Sequence, residues 1–247
     1  MQAAELTHLS PLLDRYPDQL SGGELRRASV AKAIAQRRSV RLLDEPLSAL
    51  DASARSELQD DLLRWHETVP GTTIHVTHDG YEAMRMADRI AVMDRGKIIQ
   101  LAKPAEIYSQ PGSLTVARAI GSTPINVFPA TASPDGIKAD GGAVDVRLSG
   151  AAPSGAVDLA VRPESWSVLA SSESPQGLTV DIHLREIRAG IREVVVRGEL
   201  NGRSVYALLS ASACSSLQPG TIVRLHAEPS AVHCFLGDGG SRVEHLA

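Results

Sequence analysis

Two cysteines in 247 residues, Cys214 and Cys234, are too few for a disulfide framework, and their spacing fits no metal-binding pattern. A reducing compartment such as the cytoplasm fits that usage. No apolar run approaches the ~20 residues that a bilayer span requires. The stretch Met1 to Leu9 has neither the basic start nor the apolar core of a secretory signal, so membrane association would have to come through a partner protein. The formal charge is −4, with arginines and acids interspersed. No basic block therefore points to nucleic acid, and no acidic tail points to a solvating arm. What remains, 43% hydrophobic and 22% charged, is ordinary globular composition, sufficient for one large or two medium domains.

Up to about Gly121 the chain alternates helix and strand patterns. Ser21 to Arg37 carries Ala28, Ala31, Ile34 and Ala35 at helical spacing. Val40 to Leu43 is a short strand, and Asp51 caps a helix with Leu58, Leu62 and Trp65 on one face. Thr72 to Thr77 is a second strand and Gly80 to Arg89 a short helix. Ile90 to Met93 and Lys97 to Gln100 flank Asp94-Arg95-Gly96, a hairpin signal. Strands separated by helices predict a parallel sheet. After Pro124 short strands take over: Val157 to Val161, Leu178 to Leu184, Ile191 to Val196, Ser204 to Leu208 and Thr221 to Leu225. Val180, Ile182 and Leu184 alternate with polar residues, and Asp140-Gly141-Gly142, Asn201-Gly202 and Pro219-Gly220 mark turns. The expected organisation is an α/β segment, 1–121, followed by an all-β, barrel-like segment, 122–247.

Three short segments carry candidate chemistry. Leu20-Ser21-Gly22-Gly23-Glu24 opens a helix with two glycines, whose bare N–H groups and helix dipole favour a phosphate. Ser21 and Glu24 equally fit a capping box, which needs no ligand. Val40 to Pro46 is a mostly apolar strand ending in Asp44 and Glu45, at the end of a parallel sheet where ligands bind. One carboxylate there could hold Mg²⁺ and the next could activate a water; a solvated strand end is the plainer alternative. His78 follows the second strand and shares that rim if the two strands run parallel.

Taken in order, Leu20-Ser-Gly-Gly-Glu24, Leu42-Leu-Asp-Glu-Pro-Leu-Ser-Ala-Leu-Asp51 and Val76-Thr-His-Asp79 resemble the signature motif, the Walker B strand with its D-loop, and the switch histidine of ABC-type ATPases. The resemblance continues through Glu82-Ala-Met84, Ala87 to Ile90, Val92-Met93, Pro104 to Tyr108, Val116-Ala117, Ile120-Gly121 and Asn126. Val161-Arg-Pro-Glu164 resembles the TOBE-type regulatory domain of sugar and glycerol-phosphate importers. The implied fold is part of a P-loop NTPase, an ABC ATPase half with a parallel sheet, then an OB/TOBE-like β domain. The resemblance implies that Ser21, Gly22 and Gly23, with Glu24 beside them, face the γ-phosphate of ATP held by an opposite subunit. By the same resemblance Asp44 holds Mg²⁺, Glu45 is the general base, His78 senses the γ-phosphate and Asp51 connects two composite sites. The implied partners are a second ATPase subunit, integral membrane permease subunits and, indirectly, a solute-binding protein. That places the chain at the cytoplasmic face of the membrane.

The sequence also departs from that family. It contains no Gly-x-x-x-x-Gly-Lys-Ser/Thr run, so no P-loop lysine or cradle of N–H groups is present, and the glutamine loop is missing too. An apolar strand edge is expected to lack its neighbour, and the nucleotides upstream of Met1 are expected to encode the missing half. Glu24 stands where the family carries Gln, Leu25 and Arg26 replace glutamines, Gly80 replaces another, and Arg41 interrupts the Walker B strand. For Arg41 the expectation is a packed stem with a solvated head. The leading functional reading is ATP hydrolysis driving solute uptake. The alternative is a non-catalytic interaction protein that lends its signature motif to another subunit's ATP or senses through its β domain. Chromosome and repair ATPases with a similar signature are disfavoured, because no heptads appear.

Overall fold

The computed structural model describes residues 2–36, 38–48, 50–133, 136–140, 142–145, 154–169, 175–190, 193–237 and 239–243. Its contacts divide the chain into two compact units, Met1–Asp88 and Arg89–Ala247.

The first unit contains α1 (Gln2–Leu6), α2 (Gly22–Ala35), β1 (Val40–Asp44), α3 (Ala52–Thr68), β2 (Thr72–Val76) and α4 (Gly80–Met86). Strands β1 and β2 pair in parallel, with Val40 opposite Thr72 and Asp44 opposite Val76. Parallel strands need a long crossover, and α3 supplies it. The apolar positions expected on α3 do face inward: Leu58, Leu62 and Trp65 pack with Val30 and Ile34 of α2 and with Leu47 and Leu50 of the intervening loop. Period-two alternation puts Arg41 and Leu43 on that buried side of β1. The opposite side leaves Val40, Leu42, Ile74 and Val76 half or more exposed.

Arg41 corrects the sequence expectation. Its whole side chain is buried, with the guanidinium 4.2 Å over the Trp65 ring, donating to the carbonyls of Val69 at 3.2 Å and Pro70 at 2.7 Å. The head replaces water by carbonyl oxygens and an aromatic face, which is why an arginine is tolerated inside. A second polar contact behind the sheet joins β2 to α4, where His75 Nε2 lies 2.5 Å from Glu82 Oε1.

The second unit begins with β3 (Ile90–Asp94) and β4 (Lys97–Ala102), an antiparallel pair. Arg95 (φ 47°) and Gly96 (φ 76°) turn it, both left-handed as a two-residue type I′ hairpin requires. Helices α5 (Pro104–Ser109) and α6 (Leu114–Ala119) lead to β5 (Asn126–Ser133), β6 (Gly136–Ala139), β7 (Gly142–Asp145), β8 (Gly155–Val161), β9 (Ser167–Val168), β10 (Gly177–Ala189), β11 (Val194–Leu200), β12 (Arg203–Leu209), α7 (Ala211–Cys214), β13 (Ile222–Ala227) and β14 (Val232–Leu236). The strand expected at Ile191 to Val196 begins at Val194, residues 191 and 192 lying outside the described set, as does Gly141 of one expected turn.

The expected all-β region is present, but among the described residues its strands form two sheets and no closed barrel. One runs β12-β11-β10-β13-β9 with β7 also on β10, the other β14-β8-β5-β6. They share one core, in which Phe128, Leu159 and Val161 meet Val180, Ile182, Leu184 and Leu225. Asn126 fastens the sheets together. Its Nδ2 donates to Val161 O at 3.2 Å and Tyr206 O at 2.8 Å, while its Oδ1 accepts from Tyr206 N–H at 2.7 Å. That uses both ends of one amide to satisfy the exposed backbone of the terminal strand β12.

His233 on β14 is buried against Phe235, and its Nδ1 has no hydrogen-bond partner. Burial first, then the positive charges of Arg242 and Arg162, push its pKa down to about 4. A histidine lowered from about 6.5 on folding binds its proton more readily when unfolded, so stability falls as pH drops through that interval and is intact above it. Urea unfolding is expected to show about 3 kcal/mol lost to this residue between pH 6.5 and pH 4. In His233→Gln that part of the slope disappears; an unchanged slope contradicts the assignment.

Candidate functional site

The parallel register decides which side chains meet. Because Asp44 lies opposite Val76, the residues following β1 and β2 emerge on the same rim, and the ladder continues one step as Glu45 N–H donates to Val76 O at 2.9 Å. Glu45 then turns out of the strand with φ 43°, an uncommon conformation for a residue bearing a Cβ. Its carboxylate Oε1 sits 2.9 Å from Nδ1 of His78. A carboxylate accepts, so the His78 tautomer in this contact carries its proton on Nδ1 and leaves Nε2 free. Both side chains reach solvent, His78 more than Glu45.

The His78 loop is held from both ends. Asp79 caps α4, accepting from Tyr81 N–H at 2.9 Å and Glu82 N–H at 3.1 Å, while its own N–H donates to Thr77 Oγ1 at 3.0 Å. Below it the His75–Glu82 contact ties β2 to the first turn of α4.

The signature segment approaches through its helix. Ser21 is the N-cap of α2: its Oγ accepts from Glu24 N–H at 3.3 Å, and Glu24 Oε2 accepts from Ser21 N–H at 2.7 Å. That capping box is formed, and those bonds hold the Glu24 carboxyl below its usual range. A Cβ on Gly22 would meet nothing within 4 Å, so the first turn opens onto free space. Asp51 caps α3, with Oδ1 accepting from Ala54 N–H at 3.0 Å, and this bond lowers its pKa. Among the described residues no hydrogen bond joins Ser21, Gly22, Gly23, Glu24 or Asp51 to Glu45 or His78. The link from α2 to the carboxylate rim is Arg26, whose guanidinium donates to the carbonyls of Asp44 and Glu45. The sequence marks Arg26 only as a departure from a motif; a contact spanning 19 positions leaves no local signal.

Among the described residues no group of three or more His, Cys, Asp or Glu side chains converges on one metal position. Adjacent Asp44 and Glu45 at an open rim instead suit a cation held by one or two carboxylates and completed by water and phosphate, the manner of Mg²⁺.

The family model described as ABC transporter matches residues 1–48, which include the signature turn and β1. The sn-glycerol-3-phosphate import ATP-binding protein UgpC of Yersinia enterocolitica is 35% identical over 98% of this chain and 68% of its own length. The chain belongs to the ABC transporter family. The Yersinia pestis protein of the same name is also 35% identical, over 98% of the chain and 67% of its own length. This ABC transporter subunit thus spans about two thirds of the length of those relatives, which are named as import ATP-binding proteins.

Local energetics at the signature turn give a direct check. Ser21→Ala removes the cap and is expected to lower stability by about 1 kcal/mol, whereas Ser21→Gly should lose only a few tenths. No loss for Ser21→Ala in a denaturant titration would show that the capping geometry contributes nothing.

Proposed function

We propose that this ABC import subunit hydrolyses ATP through Glu45 as general base, with His78 holding the carboxylate in place. The observation that carries this reading is the 2.9 Å contact between Glu45 Oε1 and His78 Nδ1 on one rim of a parallel strand pair. A carboxylate so placed can orient a water and take its proton as the water attacks phosphorus. Asp44 would hold Mg²⁺, which when bound offsets phosphate charge. Ser21, Gly22 and Gly23, with Glu24 behind them, would present first-turn N–H groups to the γ-phosphate of ATP gripped by a second subunit. Asp51 would couple the two composite sites. His78 Nε2, the ring nitrogen not engaged with Glu45, would sense the γ-phosphate.

The physiological setting follows the named relatives. The solute would be glycerol phosphate or a carbohydrate, delivered through two integral membrane permease subunits and selected by a solute-binding protein. The subunit would sit peripherally at the cytoplasmic face; none of its described helices is long and apolar enough to cross a membrane. The segment 122–247 would act as a TOBE-type regulatory domain on 1–121. A second reading, a non-catalytic chain lending its signature turn in trans, draws on the lack of a Gly-x-x-x-x-Gly-Lys-Ser/Thr run.

One variant separates them. In a chimaera joining the P-loop half of a relative to this chain, Glu45→Gln is expected to cut turnover by about 10²–10⁴-fold and to preserve ATP-dependent dimerisation. Turnover near that of the parent chimaera removes Glu45 from its role, whereas a parent chimaera that folds and dimerises without turnover leaves the second reading.

A further inference from the structure

We infer that Arg26 is a positioning residue for Glu45, a role that rests on reading Glu45 as the general base. In an extended strand successive carbonyls point to opposite sides, so one side chain cannot ordinarily reach two in a row. Here it does: Arg26 Nη2 donates to Asp44 O at 2.5 Å and also to Glu45 O, and Nε donates to Glu45 O at 3.0 Å. The left-handed turn at Glu45, φ 43°, swings its carbonyl to the side of Asp44's and makes the double contact geometrically accessible. The same turn aims the Glu45 side chain at His78. Clamp and aim are therefore one conformational state.

A non-glycine residue in that region is strained and persists only where its surroundings over-determine it. Four groups do so. Glu45 N–H is held by Val76 O at 2.9 Å, and Ser48 Oγ donates to Glu45 O at 3.0 Å. The side chain is held by His78, and the carbonyl by Arg26. Of these only Arg26 comes from α2, the helix whose first turn is the signature segment. Movement of that turn is thereby transmitted to the carboxylate through one half-buried guanidinium. A glutamine, which the family carries in this stretch, has a single NH₂ group and no charge. It cannot reproduce a planar fork with Nε and Nη2 on adjacent carbonyls.

The test uses the full 247-residue chain and needs no turnover. Arg26→Met keeps an unbranched apolar stem and removes every donor. Nitrogen NMR of the histidine rings is expected to move the His78 Nδ1 signal toward its position in Glu45→Gln. Hydrogen exchange at the Glu45 amide should accelerate about tenfold or more, while the Ile34 and Leu62 amides keep their rates. Arg26→Lys, with one point donor, should fall between the two. Unchanged His78 and Glu45 signals in Arg26→Met overturn the inference; so does uniform acceleration that includes Ile34 and Leu62, which would make Arg26 a general stabiliser. If Arg26→Met fails to fold, Arg26→Lys decides alone, an intermediate signal supporting the clamp and a wild-type signal overturning it. Because neither readout involves hydrolysis, failure of the base assignment and failure of the clamp are separately visible.

Discussion

The register of two parallel strands governs everything the first unit can do. Asp44 opposite Val76 sends both chain segments out on one rim, and a slip of one residue would turn Glu45 and His78 to opposite faces. That register is itself fixed by burial. Arg41 and Leu43 are the buried positions of β1, and Trp65 of α3 receives the Arg41 guanidinium. The buried arginine, unusual in a strand interior, is thus part of what holds the rim in place. Its carbonyl partners at Val69 and Pro70 lie in the turn entering β2, so one side chain ties β1 to the start of its neighbour.

On that scaffold the site stores modest strain. Glu45 sits in left-handed backbone, held by hydrogen bonds at its amide, its carbonyl and its carboxylate. Strain of this kind clusters where geometry serves chemistry. The rim is also incomplete as a phosphate site. It offers acidic groups and a histidine, but the sequence holds no P-loop lysine to balance phosphate charge. In the proposed function the phosphate-facing N–H groups would be those of the first turn of α2, which opens into free space at Gly22. One side of β1 and β2 leaves Val40, Leu42, Ile74 and Val76 half or more exposed, while the other side packs on the first unit's core.

Much of this was legible in the residues because the signals are local. The Ser21–Glu24 capping box, the Asp51 cap and the Asp94-Arg95-Gly96 turn are short-range devices, and each forms as the sequence implies. Amphipathic α3 was legible for the same reason. Other elements were hidden by broken patterns. Pro129 lies inside β5, against the usual rule for strands, although every second residue of β5 is buried; β14 is buried at four successive positions and shows no alternation. Strand β10 runs on past Leu184 through a bulge before Glu186, where Arg185 breaks the apolar period. The two-sheet arrangement depends on Asn126 reaching Tyr206, 80 positions away. Arg26 and Arg41 escaped for the same reason, since their partners are backbone carbonyls that no side-chain pattern advertises.

In the proposed function this chain would contribute the Glu45–His78 rim and the first turn of α2 to a nucleotide gripped by another polypeptide segment. Calorimetric titration of Mg²⁺ and ATP into the 247-residue chain alone tests it most directly. No measurable binding is expected, because one face of a nucleotide site provides too few phosphate contacts. Micromolar, Mg²⁺-dependent binding to the isolated chain would contradict it.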